Sequence, residues 1–193
     1  SHNVTRKVKL SILGVGIDMD DTICNTTQIV QDRLKKYASS NNLNELDIMN
    51  DEELKQGFFN IYLEDIYTNV TSKEDALRVV KRLKSRGNEI YIITARSNNF
   101  SNTVKNVEEI TSSWLKKYGI EADKIITSAY GDTKSEACKK YEIDYMIDDD
   151  PYNFKRTSSK TKCIIYDDAE RFEGNKNILT RWKDIETYIE RNR

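Results

Sequence analysis

The strongest constraint on the fold is an alternation along the chain. Five short apolar runs, rich in β-branched residues, are separated by longer segments with helical periodicity. Short runs without polar interruption are typical of strands that are buried on both faces of a sheet. Because strands that alternate with helices form parallel sheets through right-handed crossovers, we predict an α/β fold with a doubly wound parallel sheet. The apolar runs lie at 11–19, 89–94, 124–129, 145–148 and 162–168.

The segments between these runs are predicted to be helices. The first, 72–87, begins with Ser72 three residues before Asp75, which is a helix-capping pattern, and it closes on Gly87. Further helices are predicted at 102–119, 132–141 and 181–192.

Residues 25–70 break the alternation, because they show helical patterning without a strand signal. This stretch is too long for a simple crossover after the first strand. We predict that it forms a small helical cap, and that residues 1–24 and 71–193 form the core domain. A chain of 193 residues is long enough for one well-packed domain with such an insertion.

The composition limits the classes of partner and the compartment. Lys and Arg number 31 and Asp and Glu 32, so the net charge of −1 argues against a nucleic-acid polymer. The apolar stretches are too short to span a membrane and the polar N-terminus lacks a signal-like core, so we expect no membrane association. The three cysteines form no CxxC pair, which indicates reduced thiols in a cytoplasmic protein. The sequence leaves a homodimer open.

The histidine count narrows the chemistry. The sequence holds one histidine, His2, next to the N-terminus. Ser-His and Cys-His nucleophile pairs and histidine-based zinc sites are therefore excluded. Any reaction must use carboxylates, hydroxyls, lysine and a hard cation.

Polar residues follow the apolar runs at the places where ligands bind in open α/β sheets, outside the carboxyl ends of the strands. They are Asp18, Asp20 and Asp21 after the first run, Thr94 and Arg96 (with Ala95 between them) after the second, and Asp148, Asp149 and Asp150 after the fourth. Carboxylates from two strand ends can share one cleft only if a cation or a shared proton offsets their repulsion. Oxygen ligands without histidine favour Mg²⁺.

Four features of the sequence resemble the motifs of the haloacid dehalogenase superfamily and occur in the same chain order. They are the sequence DMDDT, a threonine after an apolar strand, a lysine, and a DD pair after another apolar strand. The insertion after the first strand matches the position of that superfamily's C1 cap. Within the superfamily, the sequences IDMD, IITAR and IDDDP are most similar to the cytosolic type C 5′(3′)-deoxyribonucleotidases and their bacterial relatives.

The resemblance implies an Mg²⁺-dependent phosphomonoester hydrolase that forms an aspartyl-phosphate. Asp18 would be the nucleophile, and Asp20 would be the general acid and then the general base. The metal would be held by the carboxylates of Asp18 and Asp149 and by the backbone carbonyl of Asp20. Asp148 would support the metal indirectly.

The resemblance also implies a phosphate site. Thr94 and the amides of Ala95 and Arg96 would hold phosphate oxygens, and Lys134, at the start of a predicted helix, would neutralise the phosphoryl charge.

The substrate implied is a small phosphomonoester, in the first place a (deoxy)nucleoside monophosphate. The chain departs from that family's pattern, because Asp21 and Thr22 stand where the family has Gly-Val. A phosphatase of sugar phosphates or other small metabolites is the alternative. A receiver-like signalling domain is less favoured, because receivers lack the DxD motif and a helical insertion after the first strand.

The predicted cap contains aromatic residues that could serve either of two purposes. Phe58 and Tyr62 lie on one helix face, four residues apart. Such a face usually packs in a core, and its alternative role is to close over a flat ring of the substrate.

Overall fold

The computed structural model describes residues 12–174 and 177–192. His2 and the N-terminal segment therefore lie outside the described residues. Six parallel strands form one sheet in the order β3-β2-β1-β4-β5-β6. The strands are β1 (Gly14–Ile17), β2 (Glu89–Ile93), β3 (Lys124–Ile126), β4 (Tyr145–Asp148), β5 (Lys162–Tyr166) and β6 (Ile178–Leu179). The predicted α/β fold and its five strands are confirmed, and the sixth strand is too short to show a sequence period.

Seven α-helices complete the described fold. They are α1 (Thr26–Asn41), α2 (Glu45–Asn50), α3 (Glu52–Asn69), α4 (Ala76–Ser85), α5 (Val107–Lys117), α6 (Asp132–Lys140) and α7 (Trp182–Arg191), with a 3₁₀ turn at Pro151–Phe154. Within the described chain, no helix is both long enough and apolar enough to cross a membrane.

The predicted capping pattern at the start of α4 is wrong. Ser72 instead forms a β-bridge with Cys24, and Asp75 takes a left-handed conformation with φ of 62° directly before the helix. The Asp75 carboxylate accepts a hydrogen bond from Arg78 Nε at 3.2 Å rather than from a backbone amide. The predicted end is correct, because Gly87 follows the helix with φ of 88°.

The centre of the sheet requires a glycine. Gly16 lies in β1 opposite Met146 of β4 and Tyr91 of β2. A Cβ atom at Gly16 would lie 2.7 Å from Met146 Sδ and 3.2 Å from Ile143 Cγ2. Gly16 therefore allows β1 to pack closely against its neighbours.

The three helices between β1 and α4 have an apolar core of their own, in which Phe58 and Ile66 are fully buried. That core also includes Val104 and Val107, which follow β2 in the sequence. Asn60 of α3 anchors the same region, because its backbone oxygen accepts a hydrogen bond from Thr103 Oγ1 at 3.1 Å. The helical insertion therefore packs against the segment that leads from β2 into α5.

Candidate active site

The ends of β1 and β4 bring three carboxylates together. Asp18 follows β1 directly, and its backbone amide donates a hydrogen bond to Ile147 O of β4 at 2.9 Å. One oxygen each from Asp18, Asp148 and Asp149 can be chosen so that all lie within 4.8 Å of one another. Parallel pairing places both strand ends at the same edge of the sheet, which explains why distant parts of the sequence meet here.

Lys134 of α6 lies beneath these carboxylates with 1% of its side chain exposed. Its Nζ donates to Asp18 Oδ1 at 3.1 Å and to Asp148 Oδ2 at 2.8 Å. Asn153 Nδ2 also donates to Asp148 Oδ2, at 3.0 Å. Arg171 Nη2 lies 3.8 Å from Asp149 Oδ2, so the three carboxylates face two cationic groups, which leaves an excess of one negative charge. An all-oxygen donor set with that charge fits a hard divalent cation such as Mg²⁺.

The electrostatics of the three-carboxylate cluster disfavour charge on Asp18. Burial and the negative charge of Asp148 raise the pKa of Asp18 well above its usual value, against the opposing effect of Lys134. Burial and Asp148 also raise the pKa of Asp149, to about 6. Burial would lower the pKa of Lys134, but its two carboxylate partners outweigh burial and raise it. Lys134 is therefore a permanent cation within the cluster.

Thr22 links two members of the cluster, a role that was not predicted from the sequence. Its buried Oγ1 lies 3.2 Å from Asp18 Oδ2 and 3.1 Å from Asp149 Oδ1, and it accepts the backbone N–H of Asp149 at 3.1 Å. Trp182 of α7 donates its indole N–H to Thr22 O at 2.9 Å. The available signal was a hydroxyl residue four positions after Asp18 in a tight acidic turn.

Asp20 does not belong to the three-carboxylate cluster found among the described residues. Its carboxylate forms a two-pronged ion pair with Arg96, in which Nη2 lies 2.8 Å from Oδ1 and Nε lies 3.0 Å from Oδ2. Thr26 Oγ1 donates to Oδ1 at 2.6 Å. Burial raises the pKa of Asp20, but the charge and hydrogen bonds of Arg96 exceed that effect and lower it. The pKa of Asp18 is therefore raised and that of Asp20 lowered, although only one residue separates them in the sequence.

The other residues of the predicted phosphate site lie at the end of β2. Thr94 is fully buried, Ala95 is exposed and the Arg96 side chain is buried. The Arg96 amide donates to Thr94 Oγ1 at 3.1 Å, which leaves the Thr94 hydroxyl hydrogen available to another acceptor. The IITAR motif predicted a role for the Arg96 amide and none for its guanidinium.

The remaining carboxylates of the two acidic turns have structural contacts. Asp21 accepts hydrogen bonds from the amide and hydroxyl of Thr27, at 2.8 and 2.6 Å, in the first turn of α1. Asp150 Oδ1 accepts the Tyr152 amide at 3.0 Å at the start of the 3₁₀ turn. Both side chains stabilise turns.

The aromatic residues of the insertion pack against one another. Phe58 is fully buried, and its ring centroid lies 5.6 Å from that of Tyr37 and 5.2 Å from that of Tyr62. Tyr62 is half-buried at the edge of this group. Of the two roles considered for these residues, the structure shows packing, and Phe58 presents no surface to a ligand.

A polar cleft of about 350 Å³ adjoins the cluster on the side of Asp149. It lies between the first turns of α1, which contribute Thr27, Gln28 and Gln31, and the segment after β5. Arg171 from that segment donates its Nη2 to Asp149 O at 2.9 Å. Asp149 is the member of the three-carboxylate cluster that lines this cleft.

Two known proteins with similar sequences carry names that indicate nucleotidases. A protein of Oceanobacillus iheyensis, named provisionally as a nucleotidase, is 28% identical over 189 residues, which cover 88% of this chain and 95% of the relative. A similarly named protein of Bacillus cereus is 23% identical over 192 residues, which cover 91% of this chain and 97% of the relative.

Solved structures share the fold. A predicted phosphatase from Clostridium acetobutylicum superposes with a TM-score of 0.64 at 15% identity, covering 94% of this chain and 100% of the other. A haloacid dehalogenase superfamily hydrolase from Ehrlichia chaffeensis superposes with a TM-score of 0.54 at 13% identity, covering 94% and 98%.

The family comparison covers almost the whole sequence. The model of the family described as "5' nucleotidase, deoxy (Pyrimidine), cytosolic type C protein" matches residues 11–193. The fold is shared with a solved hydrolase of the haloacid dehalogenase superfamily. The family match shows that the chain belongs to the cytosolic type C 5′-nucleotidase family and is a phosphoric monoester hydrolase.

Proposed function

We propose that this hydrolase removes the phosphate from (deoxy)nucleoside monophosphates, with Mg²⁺ as cofactor and a phosphorylated Asp18 as intermediate. The observation that carries the proposal is the three-carboxylate cluster with its buried lysine at the ends of β1 and β4. Membership of the nucleotidase family supports the nucleotide as substrate. The helical insertion supports a compact substrate, because it stands beside the site in the position of a cap.

The residues that would hold Mg²⁺ are Asp18 and Asp149 through their carboxylates and Asp20 through its backbone carbonyl. When bound, the ion supplies positive charge that attracts the phosphate and offsets the repulsion between phosphate and carboxylates. Asp148 would act indirectly, because its oxygens already accept hydrogen bonds from Lys134, Asn153 and the Asp150 amide.

The reaction would proceed in two displacements at phosphorus. In the first, an oxygen of Asp18 forms a bond to phosphorus while the ester bond breaks, and Asp20 gives its proton to the departing oxygen. In the second, Asp20 takes a proton from water, whose oxygen attacks phosphorus and releases Asp18. Because Arg96 lowers the pKa of Asp20 in the ligand-free protein, the first step requires the nearby phosphate charge to raise it again.

The phosphoryl oxygens would be held by groups at the end of β2 and by Lys134 of α6. Thr94 Oγ1 and the amides of Ala95 and Arg96 are the proposed hydrogen-bond donors. Lys134 would balance the negative charge that accumulates as the bonds exchange. All of these groups already lie at the carboxyl edge of the sheet, and the Arg96 amide would exchange its hydrogen bond to Thr94 Oγ1 for one to a phosphate oxygen.

The domain division proposed is a core of residues 1–24 and 71–193 with a helical cap at 25–70. The packing of the three inserted helices on one another supports it, in an apolar core that also takes in Val104 and Val107 of the core domain. A cytoplasmic location is proposed from the free thiols of Cys24, Cys138 and Cys163. The homodimer stays a prediction.

The test is a comparison of kcat/KM for dUMP, dTMP and UMP with that for sugar phosphates, in Mg²⁺ and in excess chelator. The proposal expects nucleotides to be the better substrates and chelator to abolish turnover until Mg²⁺ is restored. If sugar phosphates are hydrolysed better than every nucleotide, the small-metabolite alternative replaces the nucleotide assignment. Full activity in chelator would remove Mg²⁺ from the mechanism.

A further inference from the structure

The Arg96 guanidinium is buried, with 1% of its side chain exposed, and each of its nitrogens has a partner. Nε and Nη2 bind Asp20, and Nη1 donates to Thr111 Oγ1 of α5 at 3.0 Å. The Tyr67 ring of α3 lies 3.9 Å from Cζ, against the guanidinium face. Burying a charged group is costly unless it is paired and hydrogen-bonded, and α3 and α5 could pack through apolar residues at lower cost. The retained charge therefore calls for a role beyond packing.

We infer that Arg96 is a positioning residue, whose side chain holds the Asp20 carboxylate in the orientation needed for proton transfer. This inference rests on the proposed function, in which Asp20 is the acid and base. It assigns to the Arg96 side chain a role separate from the phosphate contact proposed for its amide.

The contacts distinguish the two oxygens of Asp20. Oδ1 accepts short hydrogen bonds from Arg96 Nη2 at 2.8 Å and Thr26 Oγ1 at 2.6 Å. Within the described part of the chain, Oδ2 accepts from Arg96 Nε alone, at 3.0 Å. A planar fork bonded to both oxygens fixes the plane of the carboxylate as well as its place. Oδ1 is therefore the anchored oxygen, and Oδ2 is the oxygen that exchanges a proton with the substrate.

The guanidinium is itself held by two helices outside the acidic turn. Tyr67 belongs to the helical insertion and covers one face of the guanidinium, while Thr111 of α5 fixes its far nitrogen. The insertion thus acts on Asp20 in two ways, through Arg96 and directly through Thr26 of α1, and its direct contact is to the anchored Oδ1. A lysine in place of Arg96 would keep the charge and lose both the fork and the stacked face.

The experiment compares Arg96→Met and Arg96→Lys with wild type on dUMP and on p-nitrophenyl phosphate. The nitrophenolate leaves without a proton, whereas the nucleoside alkoxide needs one, and kcat/KM reports the steps up to departure of the leaving group. For both variants we expect kcat/KM on dUMP to fall by roughly 10²-fold or more, the range of general acid catalysis. The loss on p-nitrophenyl phosphate should be at least about tenfold smaller, because that leaving group needs little acid help.

Three results would overturn the inference. They are equal losses on both substrates, near-wild-type activity of Arg96→Lys, and a loss from Arg96→Met that is fully retained when Asp20 is already Asn. A residue that acts through Asp20 must add little to the Asp20→Asn variant. The matched control is Arg33→Met, which breaks the pair between Arg33 and Asp65 within the insertion. It should leave the ratio of kcat/KM for the two substrates unchanged.

Folding is monitored by the unfolding midpoint of each variant. If Arg96→Met does not fold, Thr26→Val decides, since it removes the other donor to Oδ1 and leaves the buried charge pair intact. A selective loss on dUMP then supports the inference, and an equal loss on both substrates contradicts it. If the wild-type enzyme hydrolyses neither substrate, or if Asp20→Asn is fully active, the proposed function fails instead.

Discussion

At the scale of single residues, the site separates two aspartates by their surroundings. Burial and Asp148 oppose the charge of Asp18, while the ion pair with Arg96 favours the charge of Asp20. Pairs of carboxyl groups whose proton affinities are driven apart are typical of sites that assign a different chemical role to each. The division fits a nucleophile that needs a nearby cation and an acid–base group that is kept in place.

Asp18→Asn is expected to abolish phosphate release and to leave the fold intact. An amide cannot form the acyl-phosphate bond, so no other residue compensates. Because the charge of Asp18 is disfavoured in the metal-free protein, its neutral replacement should unfold at a Tm no lower than that of wild type. Phosphate release is measured by a colorimetric assay, and Tm by circular dichroism.

Asp21→Asn is the matched control for this substitution. Its side chain caps the first turn of α1, and asparagine can accept the same hydrogen bond from the Thr27 amide. Normal activity in Asp21→Asn with none in Asp18→Asn supports the assignment. Near-normal turnover by Asp18→Asn would contradict the covalent mechanism.

At the scale of elements, β1 can deliver Asp18 to the β4 edge because Gly16 lets these two strands and their side chains pack closely. Gly16→Ala should lower Tm by several degrees, since a methyl group 2.7 Å from Met146 Sδ forces the core to shift, at a cost of about 1–3 kcal/mol. Thermal unfolding in the absence of Mg²⁺ measures the effect on packing alone.

Gly57→Ala in α3 is the control with the opposite sign. Its Cβ would meet Tyr37 Oη at 3.5 Å, an ordinary contact, so helix propensity should raise stability by about 0.5–1 kcal/mol. If both alanine variants shift Tm in the same direction, the close contact at Gly16 is not what makes that glycine necessary.

The pairing of α1 with α3 should depend on pH. Arg33 of α1 donates a hydrogen bond to Asp65 of α3, which is the main cause of the lowered pKa of Asp65. A carboxyl group whose pKa is lowered by folding stabilises the protein above its unfolded pKa of about 3.9, and that stability is lost as the pH falls through the folded pKa. Asp65→Asn should therefore lower Tm by about 1–3 °C at pH 7, the range of a partly exposed pair, and by less as the pH falls below about 4.

The measurement for this prediction is the difference in Tm between wild type and Asp65→Asn across that pH range. Asparagine can still accept the hydrogen bond from Asn69 Nδ2, so the variant removes the charge and keeps that contact. A Tm difference that is the same at pH 7 and in acid would mean that the charge of Asp65 contributes nothing.

At the scale of the whole molecule, the sequence predicted what depends on short patterns and missed what depends on distant partners. Apolar runs and the carboxylates that follow them are local features, so the sheet and the acidic site could be predicted. Besides Asp20, the partners of the Arg96 guanidinium are Tyr67 and Thr111, which lie on two separate helices, and no local pattern connects them. The strand β6 was not predicted because a strand of two residues shows no sequence period. The start of α4 was predicted wrongly because Ser72 pairs with Cys24 in a β-bridge instead of capping the helix.

Because the three-carboxylate cluster carries excess negative charge, we expect the stability of the whole chain to depend on a divalent cation. An ion that binds the folded state alone stabilises it by RT ln(1 + [L]/Kd), or about 2.7 kcal/mol at a hundredfold excess over Kd. For a domain of this size, Mg²⁺ should therefore raise Tm by about 5–10 °C. The Asp149→Ala variant should lose most of this increase in Tm, because it lacks a proposed metal ligand. The Asp21→Asn variant should retain the increase. Differential scanning calorimetry in Mg²⁺, with NaCl at equal ionic strength as the reference, separates binding from charge screening. An equal rise of Tm in NaCl, or an equal rise in the Asp149→Ala variant with Mg²⁺, would show that the cluster does not bind a metal ion.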